Sequence, residues 1–466
     1  MEPQPRIFGT DGIRDRAGSG FLTAEEVERI VAATVSTLQR SDDFPTDFPN
    51  VSNSGSGRIL IGRDTRASGE TLERTIAAAF ARAGFDIDLV GVIPTPGVAY
   101  LAAQSAARLG VMISASHNPA EYNGIKFLAP TGAKMSDAFE DAVSDAYWAR
   151  QGPAAPGDRS GAVRDVGVER VAEYVDYLVR SSKHPERCRG RTVVLDTANG
   201  ATCDVARRVF AALGARVVAI GDCPDGQNIN EGCGALHPVG LAARIVEEGA
   251  FCGFAFDGDG DRMIPLTETG AILDGDHVLA IAARDYQRRG ELPNNTVVTT
   301  VMANIGLEKS LVAIGCNLLR TAVGDRFVYE SMVAGDHPLG GEQSGHLIFL
   351  DHASTGDGVL AALRLLDCLG GDVGETLDAA ASNMTKFPQT LLNCAVSEKV
   401  PLESIPGVQS AVAEANRVLA GDVRVVLRYS GTELLARVMV EGPEQALIER
   451  LASDIRAAIV REIGVD

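Results

Sequence analysis

Thr192-Val-Val-Leu195 is a short β-branched run followed by an amphipathic stretch over Asp204–Leu213, a glycine at 214 and a second apolar run, Arg216-Val-Val-Ala-Ile220. Apolar residues at helical spacing between two short β-rich runs read as strand, helix, strand. The same plan occurs twice more. Arg58-Ile-Leu-Ile-Gly62 leads through Glu70–Ala83 and Gly84 to Ile87-Asp-Leu-Val90, and Thr296-Val-Val-Thr299 leads through Ile305–Ile314 and Gly315 to Asn317-Leu-Leu-Arg320. Units of this size favour parallel or mixed sheets covered by helices. The C-terminal stretch has another rhythm: Val423-Arg-Val-Val-Leu427 and Ala436-Arg-Val-Met-Val440 read as paired strands, and Pro443–Ile463 as one long amphipathic helix. The expected fold class is therefore α/β: three similar mixed α/β domains plus a smaller α+β domain.

A chain of 466 residues is too long for one ordinary core and divides into domains of roughly 100–150 residues. The Gly/Pro/Ala stretch Gln151–Ala162 and the polar region Gly370–Thr376 read as linkers. Boundaries are expected at 1–158, 159–268, 269–373 and 374–466. Ser41–Gly57, rich in Ser, Asp, Pro, Asn and Gly, reads as a surface insertion.

A net charge of −19 argues against a nucleic-acid binder, which needs a basic footprint to displace phosphate counterions. It also repels anionic substrates at long range, so such a substrate must be held by local arginines, backbone amides and a metal. No apolar run reaches the ~18 residues of a membrane span. Met1-Glu-Pro-Gln-Pro-Arg6 has neither the basic nor the apolar region of a signal peptide, and a cytoplasmic protein is expected. The eight cysteines are dispersed without a Cys-x-x-Cys pair and read as buried thiols.

Asp257-Gly-Asp-Gly-Asp-Arg262 follows the apolar run Phe251–Phe256. Three carboxylates on alternate residues are costly unless solvated or neutralised by a cation, and oxygen-only ligands suit magnesium or calcium. An EF-hand starting at Asp257 fails at its sixth position, which needs glycine and holds Arg262. Gly110-Val-Met-Ile-Ser-Ala-Ser-His-Asn-Pro119, followed by Asn123-Gly-Ile-Lys126, puts Ser116 in a loop directly after an apolar strand. Its neighbour His117 invites a hydrolase reading, but adjacent side chains in an extended loop point apart, and no Gly-x-Ser-x-Gly elbow surrounds it. A phosphorylated serine beside a carboxylate-held metal asks less of these residues.

Arg428-Tyr-Ser-Gly-Thr432 lies between two expected strands and offers the charged and amide donors a phosphate dianion needs. Gly341-Glu-Gln-Ser-Gly-His346 has the donors and acceptors of a sugar reader. Arg14 in Phe8-Gly-Thr-Asp-Gly-Ile-Arg14 is expected to face a ligand, whereas Arg63 and Arg66 are open to either ligand contact or ion pairing within their domain.

Taken in order, these loops make the chain resemble the α-D-phosphohexomutase superfamily along essentially its whole length. Pro224-Asp-Gly-Gln-Asn-Ile-Asn230 with Cys233-Gly234, and Val323-Gly-Asp-Arg326, add to the match and point to the bacterial amino-sugar branch. The resemblance implies four domains around a central cleft, each giving one loop. Ser116 would carry phosphate; Asp257, Asp259 and Asp261 would bind Mg2+ together with a phosphoserine oxygen. Glu342 and Ser344 would bind sugar hydroxyls, and Arg428, Ser430, Gly431 and Thr432 the phosphate that is not transferred. Arg14 joins the substrate contacts; Lys126, His346 and Arg262 would stand by the reacting groups. Leu434 departs from the family, which usually has proline there. The implied reaction interconverts glucosamine 6-phosphate and glucosamine 1-phosphate through a 1,6-bisphosphate, supplying UDP-N-acetylglucosamine synthesis. A mutase for glucose or mannose phosphates, or a non-catalytic sugar-phosphate-binding regulator, are the alternatives. The implied partner is a small phosphosugar, with no nucleic acid or membrane, and a homodimer is compatible with the resemblance.

Overall fold

The computed structural model describes residues 5–9, 11–44, 47–48, 57–105, 107–149, 160–369, 375–418, 424–430 and 434–465. Its first sheet has six strands, β1 (Ile13–Arg16), β2 (Arg58–Arg63), β3 (Asp86–Val92), β4 (Ala107–Ile113), β5 (Tyr122–Leu128) and β6 (Val163–Asp165), in the order β1-β5-β4-β2-β3-β6. The second contains β7 (Thr192–Asp196), β8 (Arg216–Ile220), β9 (Cys252–Phe256) and β10 (Met263–Leu266), ordered β10-β9-β7-β8. The third contains β11 (Thr296–Thr300), β12 (Asn317–Thr321), β13 (Leu339–Gly341) and β14 (Leu347–Phe349), ordered β12-β11-β13-β14.

These three sheets share one arrangement. A central strand (β2, β7, β11) runs parallel to the strand after its helix (β3, β8, β12) and, on its other side, to a third strand (β4, β9, β13). That third strand then turns back into an antiparallel partner (β5, β10, β14). The strand–helix–strand pattern in the sequence is the first half of each unit; the hairpin is the second. The loops of the three hairpins are 114–121, 257–262 and 342–346, the stretches that carry Ser116, the aspartates and the sugar-reader motif. Parallel strands buried on both faces need continuous apolar runs, and β4 and β9 are buried at every position. Their first loop residues are therefore polar groups delivered straight from a rigid core.

The last sheet is antiparallel, β15 (Gln389–Ala395), β16 (Arg424–Tyr429) and β17 (Leu435–Glu441), in the order β15-β17-β16. With helices Pro406–Val418 and Gln445–Ile463 it builds its own core, from Cys394 and Val396 to Ile459 and Ile463. Strand β15 was absent from the sequence reading because Gln389-Thr-Leu-Leu-Asn-Cys-Ala395 does not alternate; of its seven residues only Cys394 is buried.

Of the 41–57 stretch, residues 45–46 and 49–56 lie outside the described residues. The surface-insertion reading fails at its middle: Phe48 is buried against Phe139, and the buried Asp47 accepts from Ser136 Oγ at 2.6 Å. Residues 151–159 of the Gln151–Ala162 linker and 370–374 of Gly370–Thr376 also lie outside the described residues. Five cysteines are buried as expected, but Cys203 and Cys233 are half-buried and Cys223 is exposed.

The second and third sheets share one apolar core with part of the first, and helix Gly358–Cys368 is buried at every position within it. Its N-terminus is capped by Asp357, which accepts from Leu360 N–H at 2.9 Å and from the buried Tyr174 hydroxyl at 2.7 Å. Burial raises the Asp357 carboxyl to about 6, so each donor counts toward keeping it ionised. Tyr174→Phe is expected to cost about 1–3 kcal/mol by leaving that carboxylate short of a donor. Differential scanning calorimetry should show a lower melting temperature; an unchanged transition would show that the cap does not depend on Tyr174.

Candidate active site

Ser116 follows β4 and is buried, with φ at 51°, a left-handed conformation that is uncommon outside glycine. Such a backbone persists only where its surroundings over-determine it. The Ser116 N–H donates to Ser114 Oγ at 2.9 Å, and that hydroxyl donates to Asp64 Oδ2 at 2.6 Å. Asp64 also receives Arg66 Nε at 2.9 Å. The remaining Arg66 donors reach the carbonyls of Ser116 (2.9 Å), Asn118 (2.8 Å), Tyr122 (3.0 Å) and Pro119. Asn230 of the second unit donates to the carbonyls of Ser116 and Asn118 at 2.9 and 3.1 Å. Arg66, one of the largest fully buried side chains, is thus the internal frame of the loop. Arg63 lies outside that frame and pairs with Glu73 at 3.3 Å.

Because Ser116 is left-handed, the loop is not extended, and the expectation that His117 points away is corrected. Its Nδ1 lies 3.3 Å from Ser116 Oγ. Burial, aided by Arg262 and Arg14, lowers the imidazole to about 4, so the ring is neutral at pH 7. The Ser116 hydroxyl itself donates to Asp257 Oδ2 at 2.8 Å.

Asp257, Asp259 and Asp261 are all buried, and one carboxylate oxygen from each lies within 4.8 Å of the others. Burial and the neighbouring Asp261 and Asp259 push the Asp257 carboxyl well above its ordinary range. Asp259 Oδ1 and Asp261 Oδ1 have no hydrogen-bond partner despite full burial. Orphaned oxygens in a buried cluster of three carboxylates are what a hard divalent cation would satisfy, so the residues fit magnesium. Glycine brings the two loops together: a Cβ on Gly258 would stand 2.7 Å from the Ser116 carbonyl oxygen.

Lys126 on β5 is buried with Nζ 2.9 Å from both Asp11 and Asp259 and 3.8 Å from Asp261. Burial opposes its charge, but these three carboxylates outweigh it and hold the ammonium protonated. Arg262 donates its backbone N–H to Asp257 Oδ1 at 3.1 Å and has Nε 3.8 Å from Asp261. His346 places Nδ1 3.6 Å from Asp261, while its Nε2 accepts from Gly356 N–H at 3.0 Å. That bond requires a lone pair on Nε2, so the neutral ring carries its proton on Nδ1. Burial works against a second proton; Asp261, Asp325 and Glu342 favour it and raise the ring to about 9. Protonation would break the Gly356 bond, and the geometry found is that of the neutral ring. Arg14 pairs with Asp11 at the rim.

Glu342 Oε1 accepts from Gly324 N–H at 3.2 Å, and Ser344 next to it is exposed. Gln343 does not share their setting: its amide donates at 3.1 Å to buried Asp276, so it braces the loop. In the last unit Arg428 is directly opposite Arg437 across β16 and β17. That register puts both side chains on one face of the sheet, and Arg437 is a candidate phosphate contact that the sequence reading missed. The sequence signal was available, since both arginines lie in strands flanking one turn. Ser430 is buried at the end of β16; Gly431 and Thr432 lie outside the described residues, and Leu434 is exposed.

The structure therefore brings Ser116, Lys126, Asp257, Asp259, Asp261, Arg262 and His346 into one buried cluster, with Arg14 and Glu342 next to it. Arg428 and Ser430 belong to the separate last sheet. Asp64, Arg66, Ser114 and Asn230 hold the serine loop; the sequence offered no role for Asp64, Ser114 or Asn230 because their partners are mostly backbone carbonyls or lie far along the chain.

Four family models match the chain: phosphoglucomutase/phosphomannomutase alpha/beta/alpha domain I over residues 5–152, domain II over 172–270, domain III over 274–387, and the C-terminal domain over 391–458. A phosphoglucosamine mutase of Rhodococcus erythropolis is 45% identical over 456 residues, covering 97% of this chain and 98% of that protein. One from Cutibacterium acnes is 45% identical over 463 residues, covering 99% and 100%. Among solved structures, a phosphoglucomutase/phosphomannomutase family protein from Burkholderia thailandensis aligns with a TM-score of 0.76 at 26% identity, over 99% of each chain.

Removing one partner of a buried ion pair typically costs about 3–5 kcal/mol, and Arg66→Ala would also strip the serine-loop carbonyls of their donors. The variant is expected to melt earlier and to lose activity, with Arg66→Lys intermediate because an ammonium cannot reproduce the guanidinium fork. Full activity in Arg66→Ala would show that the loop holds its shape without this frame.

Proposed function

We propose a reaction for this chain from one premise: it belongs to the phosphoglucomutase/phosphomannomutase family. It is a phosphoglucosamine mutase, an isomerase that interconverts glucosamine 6-phosphate and glucosamine 1-phosphate. The observation that carries the reading is the Ser116 hydroxyl, 2.8 Å from Asp257 at the mouth of the three-carboxylate cluster. The 45% identity to curated phosphoglucosamine mutases along nearly the whole chain supports the amino-sugar substrate.

In the first half-reaction the bond between phosphorus and Ser116 Oγ breaks while a sugar oxygen bonds the phosphorus. The sugar hydroxyl loses its proton to a protein base, and the product is glucosamine 1,6-bisphosphate. The intermediate turns over, and the reverse transfer returns its other phosphate to Ser116. Asp257, Asp259 and Asp261, together with a phosphoserine oxygen, would hold magnesium, which would supply positive charge for the transferring phosphoryl oxygens. Lys126, kept cationic, neutralises charge beside the transfer; Arg262 steadies Asp257, and His346 serves the proton movement. Glu342 and Ser344 hold sugar hydroxyls. Arg14 meets the substrate beside the cluster, and Arg428, Ser430, Gly431 and Thr432, with Arg437, grip the phosphate that is not transferred, in either orientation of the sugar. Four domains, 1–158, 159–268, 269–373 and 374–466, each supply one of these loops. The setting is cytoplasmic and the substrate a diffusible phosphosugar; no described helix is long and apolar enough to cross a membrane. The reading extends to a homodimer.

Turnover of glucosamine 6-phosphate, with magnesium and a sugar bisphosphate present, is expected to exceed that of glucose or mannose 6-phosphate by at least about tenfold in kcat/KM, or ~1.4 kcal/mol. EDTA should abolish it. Ser116→Ala should fall to background while still folding, its melting temperature lowered only by the loss of one hydroxyl donor to Asp257. Preference for a neutral sugar would reassign the substrate, and wild-type rates in Ser116→Ala would remove the serine as carrier.

A further inference from the structure

Asp325 is the first residue of helix Asp325–Gly335, and the reaction proposed above gives it no role. It lines a small pocket beside the carboxylate cluster together with Asp11, Lys126, Lys134, Asp261 and Thr355. It also lines a cavity of about 530 Å³ that opens beside His346. Among the described residues no side chain donates to its carboxylate or pairs with it. The adjacent Arg326 does not neutralise it, because that guanidinium is turned to Asp137 and Glu330. Gly324, at a φ of 137° that favours glycine, aims its N–H at Glu342 Oε1 and so ties Asp325 to the sugar-reading loop. The electrostatic influence of Asp325 reaches both Glu342 and His346.

An unpaired carboxylate in a cleft that must admit a phosphate dianion weakens binding unless the substrate brings its own cation to that point. An amino sugar does so, carrying an ammonium where glucose carries a hydroxyl. We propose that Asp325 determines specificity by pairing with the C2 ammonium of the sugar held by Glu342; this rests on the mutase reading and on that loop holding the sugar. A charge-assisted hydrogen bond formed by one substrate and denied to the other is the kind of contact that separates close analogues. Asp325 touches no phosphate in this account, and neutral sugars gain nothing from it.

The test compares wild type, Asp325→Asn and Asp325→Glu in kcat/KM for glucosamine 6-phosphate and glucose 6-phosphate, with melting curves as a check on folding. In Asp325→Asn the amino-sugar preference should shrink by at least about tenfold, with glucose 6-phosphate turnover holding or rising; Asp325→Glu should keep part of the preference. An equal loss on both substrates would overturn the proposal and leave Asp325 as a favourable charge at a helix N-terminus. In wild type the preference should also narrow as pH rises and the substrate amine loses its proton, and a constant ratio would contradict the pairing. Failure of the wild type on both sugars would sink the mutase reading itself, a result distinct from a variant that leaves the preference intact.

Discussion

Three carboxylates buried within 4.8 Å of one another cannot remain ionised unless positive charge is placed among them, and much of this structure follows from that constraint. Lys126 bridges Asp11 and Asp259 from the first unit, and Arg262 lies against Asp261. Asp257 is left least compensated, with its carboxyl raised by burial and by its two neighbours. It is also the carboxylate that meets Ser116. Removing such groups from water costs several kcal/mol each, a cost that stability alone does not explain. The two orphaned oxygens, Asp259 Oδ1 and Asp261 Oδ1, mark where a cation would complete the balance.

The backbone keeps that cluster in register. Thr95 N–H donates to the Asp259 carbonyl at 2.9 Å, and Gly358 N–H to that of Gly260 at 2.9 Å. Met263 N–H donates to the Gly345 carbonyl at 3.0 Å, and Arg262 bridges to His346. The 257–262 loop is therefore stitched to the first unit on one side and to the 342–346 loop on the other. The loops 114–121, 257–262 and 342–346 each connect antiparallel strands at the same place in their sheets. The last sheet has its own core and is linked through Arg424, whose guanidinium donates to the carbonyls of Val301 and Ala303, both at 2.6 Å. On the proposed reading, the phosphate clamp is carried on a separately cored unit, which can approach and leave the cleft as a body.

The fold was legible where local physics decides it. The three strand–helix–strand units show in β-branched runs, helical spacing and closing glycines, because parallel strands must be apolar throughout. Strand β15 was hidden since it half-exposes both faces, and Asp47 and Phe48 were hidden in a polar stretch whose composition gave no sign that they turn inward. Within the site, the aspartates and Ser116 were legible as residue types next to buried strands. The left-handed turn at Ser116 was not, and it reversed the expectation for His117. The frame of Asp64, Ser114, Arg66 and Asn230 depends on contacts between residues far apart in the chain, to which single-sequence spacing is blind. Gln343 fitted a sugar reader by type, yet its amide is spent on Asp276.

The measurement that bears most directly on the central claim is the phosphorylation state of Ser116 during turnover. The protein would be treated with a sugar 1,6-bisphosphate and magnesium, and the peptide containing Ser116 followed by mass spectrometry before and after glucosamine 6-phosphate is added. Phosphate on Ser116 that is discharged by the sugar as glucosamine 1,6-bisphosphate appears is the predicted result. Turnover with Ser116 unmodified throughout would contradict it, and would leave the buried carboxylates facing a serine that carries nothing.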